Sequence, residues 1–254
     1  MVRMKKTEIK SNYPITWCPG CPNFLILEAV KRAVEELIKE GQKQEDFCIV
    51  TDIGCNSKIY DYLNLSGVYG LHGRAVPLAE GIKLGNPKLK VIAFQGDGGA
   101  YAEGIEHLVH VMRHNTDITL VVHNNEAFSL TTGQITPTSP FGKKTKNEPT
   151  GNKIAPLNPI KLALSLNTKF IARCNPYDIE DTKRILKKAI LYEGFSFVEI
   201  IQKCLIFSPE MTDFEKNFYK IEDNKSLEKA WQLADEWDYS SKDKKIAIGI
   251  LFEA

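Results

Sequence analysis

The chain has 254 residues, 43% hydrophobic and 26% charged, which suits a globular protein with one large α/β domain or two small domains. Its 33 basic and 32 acidic residues leave a formal net charge of +1, so no global field favours nucleic acid or an anionic membrane. The longest apolar runs are too short to span a bilayer, and the basic N-terminal segment lacks the apolar core of a secretory signal. We therefore expect a cytoplasmic protein with neither a membrane nor a nucleic-acid partner.

The first third of the chain places two cysteine motifs around a predicted strand. Cys18-Pro19-Gly20-Cys21 lies in a turn-rich opening, and apolar residues at helical spacing predict a helix over about 24–40. Residues 47–53 predict a strand that stops at Gly54-Cys55. A loop containing glycine is expected over 67–74, before a second helix.

The middle of the chain predicts two more buried strands. Residues 91–94 are a short apolar run that ends at Gly96-Asp97-Gly98-Gly99, and 118–122 are another that ends at His123-Asn124-Asn125. Helical spacing over 101–115 connects the two runs. Residues 133–159 are rich in Gly, Pro, Thr, Lys and Asn, and a loop of this length in a compact domain is usually functional or disordered.

The remaining pattern continues the alternation of strand and helix. We expect helices over 160–166 and 178–192 and strands over 170–172 and 195–201, the last leading to Cys204. This alternation predicts an α/β fold, a doubly wound and mostly parallel sheet with helices on both faces. One domain is expected over residues 1–208, with 209–254 as a C-terminal extension packed on the same domain or on a partner chain.

Four chemically distinctive residues follow the carboxyl ends of four predicted strands. They are Cys55, Asp97, Asn125 and Cys204. Because open α/β sheets bind ligands at that edge, we expect these four residues to meet in one crevice.

The Gly-Asp-Gly-Gly turn and the later Asn pair predict a cation and diphosphate site. Glycine lets the backbone approach an anion, and the N–H groups at a helix start favour phosphate. The oxygens of Asp97 and Asn125 are the hard ligands that Mg²⁺ or Ca²⁺ prefers. A tight turn with a helix cap is the simpler alternative, but the spacing and the Asn pair favour the cofactor site.

Four of the six cysteines form a candidate metal set. Cys18 and Cys21 have C-x-x-C spacing, and Cys55 and Cys204 follow strand ends, whereas Cys48 lies within a strand and is expected to be a buried thiol. Cys174 also follows a strand, so the pattern excludes it only weakly. Four thiolates fit structural zinc or a [4Fe–4S] cluster, and the expected nearness of Cys55 to the diphosphate site favours the redox cluster.

Ordered motifs over about residues 16–206 resemble the beta chain of the 2-oxoacid:ferredoxin oxidoreductase family. The motifs are Trp17-Cys18-Pro19-Gly20-Cys21, Asp52-Ile53-Gly54-Cys55, His72-Gly73-Arg74-Ala75, Ala79-Glu80-Gly81-Ile82-Lys83-Leu84, Gly96-Asp97-Gly98, Asn124-Asn125, and Gly133-Gln134 followed by Thr136-Pro137-Thr138-Ser139-Pro140. Family members bind thiamine diphosphate, Mg²⁺ and a [4Fe–4S] cluster. The resemblance implies the cluster on Cys18, Cys21, Cys55 and Cys204, and Mg²⁺ on Asp97, the Asn125 side chain and the Ala127 carbonyl. The implied thiamine diphosphate contacts are Ile53, Gly54, Cys55, Asn56, His72, Gly96, Gly98, Gly99, Ser129 and Leu130.

The resemblance also implies oxidative decarboxylation of a 2-oxoacid to acyl-coenzyme A and CO₂, with electrons passing through the cluster to ferredoxin. An alpha chain, or alpha and gamma chains, would complete the enzyme, and alpha would supply the carboxylate facing the aminopyrimidine ring. His72 is a candidate polar group near the reacting centre or a hydrogen-bonded loop histidine. Arg74 is a candidate partner of a substrate or phosphate anion or a member of a structural ion pair.

The sequence departs from the family pattern at Pro22, Asn56, Gly99 and Thr132, which bears on substrate choice and turnover but removes no expected ligand. The acid could be pyruvate, 2-oxoglutarate, or a branched or aryl 2-oxoacid. Lys143, Lys144 and Lys146 are expected to form a solvated cluster or to meet coenzyme A or ferredoxin. Two alternatives stay open: a thiamine decarboxylase or synthase without a cluster, and a non-catalytic scaffold with structural zinc.

Overall fold

The computed structural model describes residues 8–254, so the first seven residues of the N-terminal segment, considered above for a secretory signal, lie outside it. The helices are α1 (Asn23–Lys39), α2 (Ala75–Gly85), α3 (Ile105–His114), α4 (Pro159–Ser165), α5 (Ile179–Leu191), α6 (Thr212–Glu215) and α7 (Leu227–Asp235). The strands are β1 (Phe47–Thr51), β2 (Ser66–Tyr69), β3 (Lys90–Gly96), β4 (Thr119–Asn124), β5 (Phe170–Cys174), β6 (Ser196–Ile201), β7 (Phe218–Lys220) and β8 (Ile246–Glu253). No helix within 8–254 has the length and apolar character needed to cross a membrane.

The eight strands form one sheet in the order β2-β1-β3-β4-β6-β5-β8-β7. Its neighbouring strands are parallel except for β8, which runs antiparallel to β5. Alternate residues of the buried strands enter different cores: Phe47 and Ile49 pack with α1 and α5, whereas Cys48 and Val50 pack with α2 and α3. The prediction of a mostly parallel sheet covered by helices on both faces is confirmed.

The elements differ from the sequence prediction at several points, among them the end of the first strand, which stops at Thr51 and not at residue 53. The segment predicted as one helix over 101–115 begins as a π-helical turn, Gly99–Glu103, and becomes α-helical only at Ile105. The predicted loop over 67–74 instead starts inside β2, an edge strand that is largely exposed and therefore carries no apolar run. The long segment before α4 contains no helix, and its one β-bridge joins Phe128 to Gln134.

The residues after 208 extend the same sheet. Strand β8 pairs with β5, and β7 adds the edge strand beyond it. A third apolar cluster forms beneath them from Ile201, Met211, Phe214, Trp237, Tyr239, Ile246 and Ile248.

A buried charged group ties this C-terminal segment to the parallel strands. The Arg173 Nε lies 3.1 Å from Glu199 Oε2, and the Tyr239 hydroxyl donates to the same oxygen over 2.6 Å. The Arg173 guanidinium also donates to the Tyr239 oxygen and stacks near the Trp237 ring, 5.5 Å from its centroid. Arg173, Glu199 and Tyr239 are all buried. The charges of Arg173 and Glu199 therefore compensate each other, and the Tyr239 hydroxyl hydrogen-bonds to both.

We expect Arg173→Leu to lower the free energy of unfolding by about 3–5 kcal/mol, because it leaves the Glu199 carboxylate buried without its cation. Arg184→Leu is the matched control: Arg184 is half-exposed and pairs with Asp181 and Asp223 on the surface, so the loss should be about 1 kcal/mol or less. Urea unfolding followed by circular dichroism measures both. Equal losses in the two variants would contradict the role given to the buried group.

Candidate functional site

The strand order explains how distant residues meet at one edge. Strands β1, β3, β4 and β6 are consecutive neighbours in the sheet and run in the same direction. Cys55, Asp97, Asn125 and Cys204 follow their carboxyl ends, so all four residues come to the same rim. Two adjoining cavities open there, and each of the four residues lines at least one of them.

The first cavity, here called the glycine-rich cavity, brings together the residues that the sequence assigned to thiamine diphosphate and Mg²⁺. It is lined by Ile53, Gly54, Cys55, Asn56, His72, Gly96, Asp97, Gly98, Gly99, Asn125, Ala127, Ser129 and Leu130. Three further lining residues, His123, Phe128 and Thr131, were not assigned a role from the sequence.

Asp97 is a buried carboxylate in a site suited to a cation. The Thr138 hydroxyl donates to its Oδ2 over 3.0 Å, and the Asn125 backbone N–H donates weakly to its Oδ1 over 3.5 Å. Burial raises the pKa of Asp97 to about 6, and these hydrogen bonds act against that rise. No Lys or Arg within 8–254 forms an ion pair with it. A bound divalent cation would compensate the charge, whereas a helix-capping role does not match partners that come from other segments.

The turn after β4 points two further oxygens toward one small region. The Asn125 Oδ1 accepts hydrogen bonds from the Ala127 N–H and from the Ser129 hydroxyl, over 3.2 Å and 3.0 Å. The same Ser129 hydroxyl lies 3.2 Å from the Ala127 carbonyl oxygen. Glu126 adopts a left-handed φ of 56°, which bends the chain between the two oxygens. This set of oxygens fits the expected ligands of Mg²⁺.

The glycines of the cavity allow contacts that a larger residue would prevent. A Cβ added at Gly98 would lie 2.3 Å from the Phe128 ring, and one at Gly99 would lie 2.0 Å from the Asp52 Oδ2. The backbone therefore passes close to both walls, and its N–H groups stand where a π-helical turn begins. Such an arrangement suits an anion such as a diphosphate.

Asp52, which sequence reasoning did not single out, joins the loops that line this cavity. Its Oδ1 accepts hydrogen bonds from the Asn56 amide and the Ser57 hydroxyl, over 3.0 Å and 2.9 Å. Its Oδ2 accepts weaker ones from the Gly73 N–H and the Gln95 amide, both over 3.4 Å. Burial raises the pKa of Asp52 to about 6 despite these donors. Its position at the end of a buried strand was the signal available in the sequence.

The second cavity, here called the four-cysteine cavity, has a volume of about 160 Å³ and is lined by Cys18, Cys21, Cys55 and Cys204. It shares Cys55, Asn125, Ser129 and Leu130 with the glycine-rich cavity, so the two sites have a common wall.

The thiols of this cavity lie close enough to influence one another. Burial raises the pKa of Cys21 to about 11, and the charges of Cys55, Cys204 and Cys18 contribute to the rise. Cys48 and Cys174 lie instead in the buried sheet and line neither cavity. Within 8–254, no three His, Cys, Asp or Glu side chains form a compact single-ion site.

The two candidate catalytic residues occupy different surroundings. His72 lines the glycine-rich cavity and is half-exposed, with its Nδ1 3.0 Å from Glu103 Oε2. Arg74 lines neither cavity: it donates to the Glu103 backbone carbonyl over 2.6 Å and pairs with Glu106 over 3.5 Å. The structure thus brings His72 to the site and places Arg74 in a supporting ion pair outside it.

Lys143 differs from the solvated lysine that the sequence suggested. Its side chain is only 6% exposed, with Glu210 at 3.2 Å and a hydrogen bond to the Glu126 carbonyl over 2.8 Å. The Ser208 hydroxyl is a further partner. Lys143 therefore fastens the long loop to the turns after β4 and β6, whereas Lys144 and Lys146 are exposed.

Comparison with known proteins identifies the class of this site. Residues 52–200 match the family model of the thiamine pyrophosphate enzyme C-terminal TPP binding domain. The protein is therefore a member of the thiamine-diphosphate-dependent enzymes.

Individual relatives identify the family of this chain more narrowly than the domain model does. The chain is 41% identical over 226 residues to the 2-oxoacid:ferredoxin oxidoreductase subunit beta of Saccharolobus solfataricus, covering 87% of this chain and 73% of that protein. It is 38% identical over 219 residues to the 2-oxoglutarate synthase subunit KorB of Archaeoglobus fulgidus, covering 85% and 80%. A structure of 2-oxoglutarate:ferredoxin oxidoreductase from Magnetococcus marinus, with 2-oxoglutarate, coenzyme A and succinyl-CoA bound, superposes with a TM-score of 0.89. That match has 31% identity and covers 100% of this chain and 86% of the other. The chain belongs to the beta-subunit family of 2-oxoacid:ferredoxin oxidoreductases.

The raised pKa of Asp52 predicts a pH dependence of stability. Its folded pKa of about 6 lies above its ordinary value of about 4, so over that range the native state keeps a proton that the unfolded state has lost. The free energy of unfolding should therefore fall as pH rises from about 4 to 6, by roughly 3 kcal/mol at most from this group.

Asp52→Asn should make that fall shallower, because its side chain cannot ionise. Urea unfolding at several pH values measures the slope, and Asp243→Asn, at an exposed position, is the control. If the free energy of unfolding changed with pH in the same way in the native chain and in Asp52→Asn, burial would not perturb the pKa of this carboxyl.

Proposed function

We propose that this chain carries thiamine diphosphate, Mg²⁺ and a [4Fe–4S] cluster, and that with an alpha chain it oxidatively decarboxylates a 2-oxoacid to acyl-coenzyme A and CO₂. Electrons would leave through the cluster to ferredoxin. The observation that carries the proposal is the common wall of the two cavities, in which Cys55 belongs both to the glycine-rich cavity and to the set of four thiols. A cluster held there would lie beside the cofactor that it oxidises.

In this proposal, Asp97, Asn125 and the Ala127 carbonyl would hold Mg²⁺, whose charge would compensate that of the diphosphate. Gly96, Gly98 and Gly99 let the backbone approach the phosphates, while Ile53, Gly54, Cys55, Asn56, His72, Ser129 and Leu130 enclose the rest of the cofactor. When bound, thiamine diphosphate supplies a nucleophilic carbon for the 2-oxo group and an acceptor for the electron pair left by CO₂.

The side chains of this chain would shape the cavity and position the groups around the bound cofactor. Asp52 fixes the loops of Asn56 and Gly73, and so sets the width of the cavity. His72, oriented by Glu103 at the cavity mouth, is the polar group proposed to hold or move a proton near the reacting centre. Arg74 is proposed to support Glu103 rather than to contact substrate.

The four thiols are proposed to hold the cluster. C-x-x-C supplies two ligands from a turn, and the turns after β1 and β6 supply the others, so the ligands come from three separate segments. The Trp17 indole donates to the Cys55 carbonyl over 2.6 Å and thereby holds the first motif against the second. Lys58 also lines the cavity, where its positive charge lowers the pKa of Cys55 against the larger effect of burial.

An alpha chain is the expected partner, since the relatives are beta subunits. Exposed apolar residues support a covering chain: Leu130 lines the glycine-rich cavity, Leu71 precedes the lining residue His72, and Val68 and Tyr69 lie on the edge strand β2. Because one relative is a 2-oxoglutarate synthase and the superposed structure contains 2-oxoglutarate and coenzyme A, 2-oxoglutarate is the first acid to test.

The decisive experiment is chemical analysis of the chain co-expressed with its alpha partner and purified without oxygen. We expect iron, acid-labile sulfide and thiamine diphosphate, and ferredoxin reduction that requires both a 2-oxoacid and coenzyme A. Thiamine diphosphate without iron would indicate a decarboxylase or synthase that uses no cluster. Zinc without iron, sulfide or thiamine diphosphate would indicate a scaffold.

Asp97→Ala should remove thiamine diphosphate while leaving the iron content nearly unchanged, because the two ligand sets are distinct. The thiamine diphosphate content is measured by fluorescence after acid release and oxidation. The iron content is measured by a colorimetric assay. Asp243→Ala, at an exposed site, should retain both. Native cofactor content in Asp97→Ala would refute the Mg²⁺ assignment.

Cys18→Ser should lose most of the iron, whereas Cys48→Ser should retain it, because Cys18 lines the four-cysteine cavity and Cys48 is buried in the sheet. Iron and sulfide content and the electron paramagnetic resonance signal of the reduced protein report the difference. The opposite pattern would show that a different set of thiols binds the cluster.

A further inference from the structure

A buried polar pair connects the two cavities. Asn23 lines the four-cysteine cavity and His123 lines the glycine-rich cavity. The Asn23 Oδ1 and the His123 Nδ1 are 2.9 Å apart, and both side chains are about 1% exposed. The pair therefore passes through the protein between the two sites, away from solvent.

Asn23 also forms a backbone hydrogen bond to one of the four thiols, that of Cys21. It is the first residue of α1, two positions after Cys21. Burial raises the pKa of Cys21 to about 11, and a hydrogen bond from the Asn23 backbone N–H acts against that rise. The Asn23 backbone thus serves Cys21 while its side chain reaches His123.

The pair has unused hydrogen-bonding capacity on both sides. Among residues 8–254, neither the Asn23 Nδ2 nor the His123 Nε2 has a hydrogen-bond partner. Because an amide oxygen can only accept, this arrangement puts the proton on His123 Nδ1 and leaves Nε2 as an acceptor. Burial lowers the pKa of His123 to about 3, so the ring is neutral. Two buried polar groups without partners destabilise a fold unless a ligand completes them.

We propose that Asn23 and His123 form a polar bridge that sets the reduction potential of the iron–sulfur cluster and makes that potential depend on the contents of the glycine-rich cavity. This inference rests on the proposed function. His123 fixes the orientation of the Asn23 amide, and the amide N–H₂ is the donor available to the sulfur atoms of the cluster. Hydrogen bonds to these sulfurs stabilise the extra negative charge of the reduced cluster and raise its potential. The proposed effect on the potential does not require His123 to gain or lose a proton.

Asn23 and His123 are positioning residues, so the test measures the potential and not turnover alone. The native complex, purified without oxygen, is titrated with dithionite while the cluster is followed by electron paramagnetic resonance, with and without thiamine diphosphate and Mg²⁺. We expect Asn23→Ala to shift the midpoint to a more negative value. His123→Phe should shift it in the same direction and reduce the difference between cofactor-loaded and cofactor-free protein.

Two further variants separate the bridge from general damage to the core. His123→Asn keeps an N–H donor on Cγ, as the Nδ1 of His123 is, and should recover part of the native potential. Thr119→Val is the matched control, since Thr119 is buried at the other end of β4 and hydrogen-bonds to the Ala189 carbonyl. It should leave the potential and its response to cofactor unchanged.

The bridge is refuted if iron-loaded His123→Phe keeps the native potential and the native response, whatever Asn23→Ala does. A shift in Thr119→Val as large as that in His123→Phe would refute it too. Should His123→Phe fail to hold its cluster, His123→Leu, which is smaller and has no N–H donor for the Asn23 oxygen, takes its place under the same criteria. A native complex without iron would instead overturn the proposed function, so the two failures are distinguishable.

Discussion

The site depends on a single electrostatic constraint: a carboxylate is buried at the end of a central strand without an ion-pair partner among residues 8–254. Asp97 accepts hydrogen bonds from the Thr138 hydroxyl and a backbone N–H, and the charge of Lys143 also favours its ionised form, yet burial raises its pKa to about 6. A buried carboxylate without an ion-pair partner lowers the stability of a fold, and such groups are common at functional sites. The oxygens of Asn125 and Ala127 are directed to the same region, and together with Asp97 they form a set that suits the hard divalent cation of the proposed function.

The residues at strand ends were predictable because the geometry of a parallel sheet is regular. Once β1, β3, β4 and β6 are read as parallel strands, Cys55, Asp97, Asn125 and Cys204 must approach one edge. The side chains that organise the site were not predictable. The partners of Asp52 are supplied by four separate residues, and Thr138 reaches Asp97 from a loop without periodicity. Arg74 illustrates a further limit, since a motif gives its position in the chain but not the direction of its side chain.

The C-terminal segment is connected to the site through hydrogen bonds. Thr138 donates to Asp97 and also to the Asn124 Oδ1, over 3.0 Å in each case, and the Asn124 amide donates to Glu199. Glu199 is held by Arg173 and by Tyr239, which lies between α7 and β8. Because these side chains are buried and their hydrogen bonds are directional, a displacement of the last strands would also move the groups that orient Asp97. Residues 209–254 thus support the orientation of Asp97 as well as covering an edge of the sheet.

The common wall also explains why one chain would carry both groups. In the proposed enzyme, electrons would pass from the bound cofactor to the cluster, and a short, fixed distance between the two binding sites would favour that transfer. Cys55 meets this need because one short turn after β1 lines both cavities, and Asp52 holds that turn through Asn56 and Ser57. Had the two groups been carried by separate chains, their separation would depend on an interface that can shift. Within this chain, the separation of the two cavities depends on the register of parallel strands, which a packed core does not allow to slip.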